Sequence, residues 1–399
     1  MAADEELVAL VDPAPRLGLH VGGPAPEFGL LLACCLGFDG DRKLGRIQHA
    51  LSQPLDWPQL LHLAEHHRVV PYVYRNLAGL VPGGGIDILR QAYTENVRKT
   101  LRLTGELICI AEHLQLRGID VLPYKGPVLG QLLYDDVGQR QFCDLDILVA
   151  ARQVPRAKRV LAELQYYPHI DLAAEQEHTY LASGYEHSFD GPPGPNLLEL
   201  QWQITPRFYS VNFDLPGFFK RSVELQLAGR VLRTLCNEDL FLVLCVHAAK
   251  HAWSQLSFLC DLSRMIATQP LEWRIVMANA NKLGIARIVG MNLILAHQLL
   301  GSPLPLAAHA AISDAQTAGL AEAVRLDLLA SREHNPESLA YFRFVARLRE
   351  RAGDRLRIWW RLLSTPSVNE WSAVKLPSSL FGLYRAVRLV RLAKRAASA

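Results

Sequence analysis

Two aspartates, Asp144 and Asp146, stand one residue apart in the run RQFCDLDILVA, residues 140–150, which otherwise suits a buried strand. Strand side chains alternate between faces, so an extended backbone points both carboxylates the same way. Asp is depleted in strands, and like charges on one face repel. The pair therefore calls for a positive partner. Mg²⁺ (or Mn²⁺) meets that need, because a hard divalent cation prefers oxygen ligands and leaves positions for substrate phosphates. The plainer alternative is that the aspartates cap neighbouring backbone or pair with Arg140 and Arg152.

A two-metal site for phosphoryl chemistry needs a third carboxylate. Glu199 is the candidate: in LLELQWQI, residues 197–204, it shares one face with Gln201 while Leu198, Leu200 and Trp202 take the other. Its strand is expected beside the Asp144/Asp146 strand, with the three carboxyl groups close enough to share metal ions. Without metal the three would repel, so Asp144→Asn with Asp146→Asn is expected to leave the bare protein at least as stable. In the turn YKGP, Gly126 lets backbone N–H groups approach a phosphate at a helix N-terminus, and Lys125 adds a positive charge. Arg140, just ahead of the strand, supplies a second.

These residues need a scaffold. Residues 118–124 read as a strand, KGPVLGQLLY as a turn with Pro127 in a first helical turn, 142–149 as a second strand and 154–166 as a helix. A Pro/Gly loop at 191–196 precedes the third strand, 197–204. Strand, helix, strand, helix, strand makes an α/β core over 118–236. Before it, residues 28–117 carry helical spacing: Asp56 is placed to cap DWPQLLHLAEHH, the pattern breaks near Pro71, and a long amphipathic helix follows VPGGG. Residues 1–27 form a Pro/Gly-rich arm, and 237–399 are helical again with a basic tail. No repeat of solenoid length is present.

The 399 residues can bury a sizeable core and exceed one compact domain. No apolar run approaches the roughly 18 residues of a membrane span. The acidic start MAADEELVAL is unlike a secretory signal, so the chain is expected in the cytoplasm. The seven cysteines are odd in number, scattered and without a C-x-x-C pair, which indicates neither a disulfide framework nor a zinc site but buried free thiols. The net charge of +3 conceals a basic stretch from residue 341 onward and an acidic remainder. Such a division can mark contact with nucleic acid, a membrane surface or an acidic partner.

Other residues carry weaker signals. His247 and His251 have the i, i+4 spacing of metal ligands but lack the glutamate of H-E-x-x-H; their helix is expected to line a nucleotide cleft, with Lys250 or His251 near phosphate. Asp261 and Arg264 have the spacing of a helical salt bridge. EHHRVV, residues 65–70, reads as a solvated helix end, and His187 is either a cleft residue or ordinary packing. In LYRAVRLVRLAKRAA, residues 383–397, Arg385, Arg388, Arg391, Lys394 and Arg395 fall partly opposite Leu383, Val387, Val390 and Leu392. That is a basic amphipathic helix, suited to an anionic surface or nucleic acid, or else packed with one solvated face.

The segment GIDVLPYKGPVLGQLLYDDVGQRQFCDLDILV, with NLLELQW downstream, resembles the uncharacterised nucleotidyltransferase family of the DNA polymerase β-type nucleotidyltransferase superfamily. DWPQLLHLAEHHRVVPYVYRNL, HAAKHAWSQLSFLCDLSRMI and STPSVNEWSAVKLP resemble its flanking parts. The resemblance implies a small mixed-sheet α/β (α+β) nucleotidyltransferase core flanked by helical lobes, with Asp144 and Asp146 as metal ligands, Glu199 as third acid, and Lys125–Gly126 in place of the usual Gly-Ser or Gly-Gly phosphate turn. Gln201 stands where the family's E-x-H-W-like strand has His, which leaves the metal set intact. The reading is a Mg²⁺-dependent transfer of a nucleoside monophosphate from an NTP, ATP foremost, to a small molecule, peptide or protein. Its rivals are a degenerate scaffold of the same fold and an RNA-binding protein.

Overall fold

The computed structural model describes residues 7–8, 25–37, 40–170, 172, 174–192, 194–332, 335–336, 338–366, 370, 374, 376 and 378–397. Most of the N-terminal arm and of STPSVNEWSAVKLP lies outside them.

The N-terminal helices are α1 (Pro26–Cys35), α2 (Asp41–Leu51), α3 (Trp57–His66), α4 (Val70–Leu77) and α5 (Gly84–Leu116). Their limits follow local chemistry. The Asp56 carboxylate accepts the Gln59 backbone N–H at 3.0 Å, and Pro58 lies in the first turn, where its missing donor costs nothing. Pro71 does the same for α4. EHHRVV is not a solvated end: His67 is fully buried edge-on to Phe28, and the Ser257 N–H donates to its carbonyl at 3.1 Å.

The central sheet has five strands. With β1 (Leu7–Val8) paired elsewhere, they are β2 (Val121–Pro123), β3 (Leu145–Val149), β4 (Tyr167–Pro168), β5 (Glu186–Gly191) and β6 (Gly194–Gln201), in the order β2-β3-β6-β5-β4. The β3–β6 pair is parallel and the others antiparallel, a mixed sheet. Helices α6 (Pro127–Tyr134), α7 (Val154–Glu163) and α8 (Ala174–Ser183) occupy the connections. Two expectations are corrected here. Gly191 ends β5 and pairs with Gly194, where β6 begins, so most of the expected Pro/Gly loop belongs to a hairpin, and β3 starts at Leu145, leaving Asp144 just ahead of it. After α9 (Leu215–Arg221), a second hairpin joins β7 (Val223–Leu227) to β8 (Arg230–Thr234) through Ala228 and Gly229, whose φ values of 47° and 78° suit a tight two-residue turn.

The C-terminal part comprises α10 (Asn237–Lys250), α11 (Leu256–Thr268), α12 (Trp273–Leu283), α13 (Ala286–Leu300), β9 (Leu304–Pro305, the partner of β1), α14 (His309–Ile312), α15 (Ala315–Leu329), α16 (Leu339–Arg347), α17 (Ala352–Ser364) and a closing helix, Tyr384–Ala397. α10 is apolar on nearly every side because nearly every side is covered. Helices from both ends of the chain share one apolar cluster, while the sheet, α5 and α7 build a second. No helix among the described residues is long and apolar enough to cross a membrane. The seven cysteines are free; Cys34, Cys35, Cys245 and Cys260 are buried, but Cys109 and Cys143 are exposed.

The closing helix departs from the amphipathic reading. Arg388 is buried, donating to the Leu362 carbonyl and to Glu370 Oε2 at 3.1 Å, and Arg391 reaches Glu370 Oε1 at 2.7 Å. Leu389 and Val390 are exposed instead. One acid inside the fold takes two of the charges expected to face outward. The side chains of Lys394 and Arg395 lie outside the described residues.

Candidate active site

The β3–β6 register sets Asp146 opposite Glu199, and the β5–β6 register sets Ser188 beside Glu199 and Glu186 beside Gln201. Alternation then puts Asp146, Glu199, Gln201, Glu186 and Ser188 on one face, while Leu145, Ile147, Leu198, Leu200 and Phe189 pack beneath. His187 belongs to that lower face, against Tyr180 and Trp202, and not to the carboxylate face.

The positive partner that the aspartates require is, in the first instance, Lys125. Its ammonium lies 2.5 Å from Asp146 Oδ1, with both side chains buried. Burial works against the lysine charge, but Asp146, Tyr124, Glu199 and Asp144 outweigh it and raise its pKa. Burial pushes the Asp146 carboxyl up to about 7; Lys125 opposes the rise, and Glu199 and Asp144 add to it. Glu199 is raised by burial and then by Glu186.

Gln201 is the junction of the acids. Its Nε2 lies 2.9 Å from Glu199 Oε2, 3.2 Å from Asp146 Oδ1 and 3.3 Å from Glu186 Oε2, while its Oε1 accepts from the Tyr124 hydroxyl. An amide donates without adding charge, so it bridges carboxylates that would otherwise repel.

The turn before α6 is built on Gly126, at φ 52°. A Cβ there would come within 3.2 Å of the Asp144 carbonyl, so both conformation and space require glycine. Lys125, Gly126, Arg140, Asp144, Asp146, Glu199, Lys250 and His251 all line one pocket of about 160 Å³. Arg140 is not free within it: its guanidinium grips Asp261 at 3.0 and 2.9 Å. The expected Asp261–Arg264 pair does not form, because Arg264 donates to the Leu133 carbonyl. Lys250 extends over the Tyr185 ring at 5.0 Å. Burial, and then Lys125, lowers the His247 pKa and keeps its imidazole neutral.

Arg68, Tyr124, Tyr185 and Glu186 carry no motif, and the sequence reading passed over them. Arg68 reaches the pocket from a backbone at φ 54°, just after His67. A cluster of hard oxygen donors facing a basic pocket fits a divalent cation by its chemistry. The side chains as held here are nevertheless not gathered as ligands: among the described residues, no three His, Cys, Asp or Glu could together hold a metal ion. In the metal-free protein each acid is held by a partner or position of its own. Lys125 takes Asp146, Gln201 takes Glu199, and Asp144 precedes the strand.

The profile of the uncharacterised nucleotidyltransferase family matches residues 53–301, a span holding all eight of these residues. The chain belongs to that family. Its matched region begins before α3 and ends after α13, so the family unit includes helices on both sides of the sheet. An antigenic nucleotidyltransferase-like protein from Paracoccidioides brasiliensis, known from a crystal structure, is 16% identical; the match covers 45% of this chain and 88% of that one, at a TM-score of 0.29. A likeness that distant carries no argument. No curated protein matches the chain.

Proposed function

We propose that this protein is a metal-dependent nucleotidyltransferase that moves a nucleoside monophosphate from an NTP, ATP foremost, to an acceptor nucleophile. The observation that carries the reading is the placement of Asp146 opposite Glu199, with Asp144 two residues upstream, over a pocket that also holds Lys125, Gly126, Arg68 and Lys250. Mg²⁺ or Mn²⁺ held by Asp144, Asp146 and Glu199 would neutralise phosphate charge and activate the acceptor. The chain's own residues do the positioning. Pro127 has no N–H and the Val128 N–H donates to the Lys125 carbonyl, so the start of α6 offers phosphate mainly its helix dipole, and the Lys125, Lys250 and Arg68 charges hold the phosphates against the carboxylate face. Arg140, fixed by Asp261, adds positive potential from a rigid position, and His251 lies at the mouth.

The ion pair between Lys125 and Asp146 favours one second reading, a scaffold whose site has become self-satisfied. Thermal-shift titration with each NTP, with and without Mg²⁺ or Mn²⁺, separates the two, alongside pyrophosphate release. The transferase gains a metal-dependent rise in Tm with at least one NTP by mass action, and the rise disappears in Asp144→Asn with Asp146→Asn. A wild-type protein with neither response is a scaffold.

A further inference from the structure

We infer that a groove running from Glu186 to the closing helix binds an amphiphilic organic anion, an apolar body with an acidic end, and that this is the acceptor; the word acceptor rests on the transferase reading above. The groove begins in a cavity of about 350 Å³ walled by Ile170, Leu172, Tyr180, Pro206 and Phe208. Tyr185 and Glu186 line it, and each contacts a residue beside the carboxylate face. The Tyr185 hydroxyl lies 3.5 Å from the Lys250 ammonium, and Glu186 Oε2 lies 3.3 Å from the same Gln201 nitrogen that serves Glu199. A molecule seated in this cavity therefore ends beside the proposed nucleotide site.

The outer end is a second cavity of about 540 Å³ that shares Ser183, Arg207, Thr365 and Pro366 with the first, so the two form one passage. It adds Trp360 and Phe381 as apolar walls and Arg361 and Arg385 as charges. Among the described residues lining this outer part there are three arginines and no acid. Arg361 donates to the Arg207 carbonyl at 3.2 Å, and burial, then Arg207 and Arg357, lowers its pKa. Trp360 is 70% exposed, a large apolar surface left open beside these charges. Deeper in, His187 lines the inner cavity at 5% exposure, its Nε2 turned toward Glu177 Oε1, 3.8 Å away, which itself pairs with Lys158 at 2.8 Å. Apolar walls with a few convergent polar groups describe a small-molecule site rather than a nucleic-acid path.

The probes are 8-anilinonaphthalene-1-sulfonate and its uncharged counterpart N-phenyl-1-naphthylamine, followed by fluorescence with the folded full-length protein. The sulfonate should bind saturably and more tightly than the neutral dye. Arg361→Gln with Arg385→Gln should weaken the sulfonate by about tenfold or more while leaving the neutral dye unaffected. Arg159→Gln, which removes an exposed charge on α7, should change neither. If the double variant loses its native circular dichroism, Arg385→Gln alone, at an exposed position, should still weaken the sulfonate selectively. Equal binding of both dyes by the wild type, unchanged sulfonate affinity in the groove variants, or an equal loss in Arg159→Gln overturns the inference. The Mg²⁺–ATP thermal shift, measured on the same proteins, should be unaltered by the groove substitutions. Its absence from the wild type tells against the transferase reading and leaves the groove result standing.

Discussion

The Lys125 ammonium rests on the Asp146 carboxylate at 2.5 Å, both buried, and each is the other's main compensation. Removing one partner leaves an unpaired buried charge, at a cost of about 3 kcal/mol or more. Lys125→Met and Asp146→Asn should each destabilise the metal-free protein on that scale, and the double substitution should recover much of the loss. Urea denaturation of the four proteins measures it. This departs from the sequence-based expectation that neutralising the aspartates leaves the bare protein at least as stable: Asp146→Asn strands the buried Lys125 charge, although it also removes a carboxylate that burial, Glu199 and Asp144 disfavour.

Gln201→Glu should be worse than Gln201→Ala. Alanine removes hydrogen bonds and strands the Tyr124 hydroxyl, at about 1–3 kcal/mol, whereas glutamate replaces a bridging donor with another carboxylate among Glu199, Asp146 and Glu186. The added cost should be larger at pH 8 than at pH 5, where protonation restores a donor. Denaturation midpoints at the two pH values decide it.

Burial holds His67 at about 4 and His187 at about 3, both below the usual imidazole value. The unfolded chain therefore binds more protons than the folded one below about pH 6.5. Stability from these two groups is complete above that pH and is lost as pH falls toward 4 and then 3. His67→Phe, which keeps a ring against Phe28, should remove up to one proton, about 1.4 kcal/mol per pH unit, from the slope between pH 6 and 4.5. An unchanged slope would mean that His67 is not neutral in the fold.

Tyr384 is fully buried, and its hydroxyl donates to the Val374 carbonyl at 2.8 Å. Tyr384→Ala should cost about 3 kcal/mol or more and yet leave Mg²⁺–ATP affinity within a few-fold, since none of the described residues lining the carboxylate pocket lies beyond Phe258. Deleting residues 379–399 removes this anchor as well, so its expected effect is on stability first. Isothermal titration beside thermal melting separates the two quantities.

Much of this was legible in the chain because polar residues interrupt apolar runs at fixed phase. Asp144, Asp146 and Glu199 stood out against Leu, Ile and Val, and Gly126-Pro127 marked a strand-to-helix turn. β5 was passed over although GYEHSFDG alternates Tyr185, His187 and Phe189 with Glu186, Ser188 and Asp190, because it is short, has turn formers at both ends and carries polar residues on the face it shares with Glu199. Long-range partners were hidden as well. Helical spacing offered Arg264 to Asp261, but Arg140, from a distant segment, reaches it with better geometry. His67 read as solvated because its neighbours are polar, although a turn of backbone tucks it under Phe28.

Among the described strands only β3 and β6 run parallel, and they carry the two facing acids. A parallel pair cannot close through a tight turn, and here α7, β4, α8 and β5 intervene. The β5–β6 hairpin can form locally within microseconds, but its docking on β3 is a long-range event governed by chain closure. A ribosome that has not yet released residue 201 therefore carries a chain with Asp146 and no opposing Glu199, and in refolding the recovery of nucleotide binding should trail the recovery of helical signal.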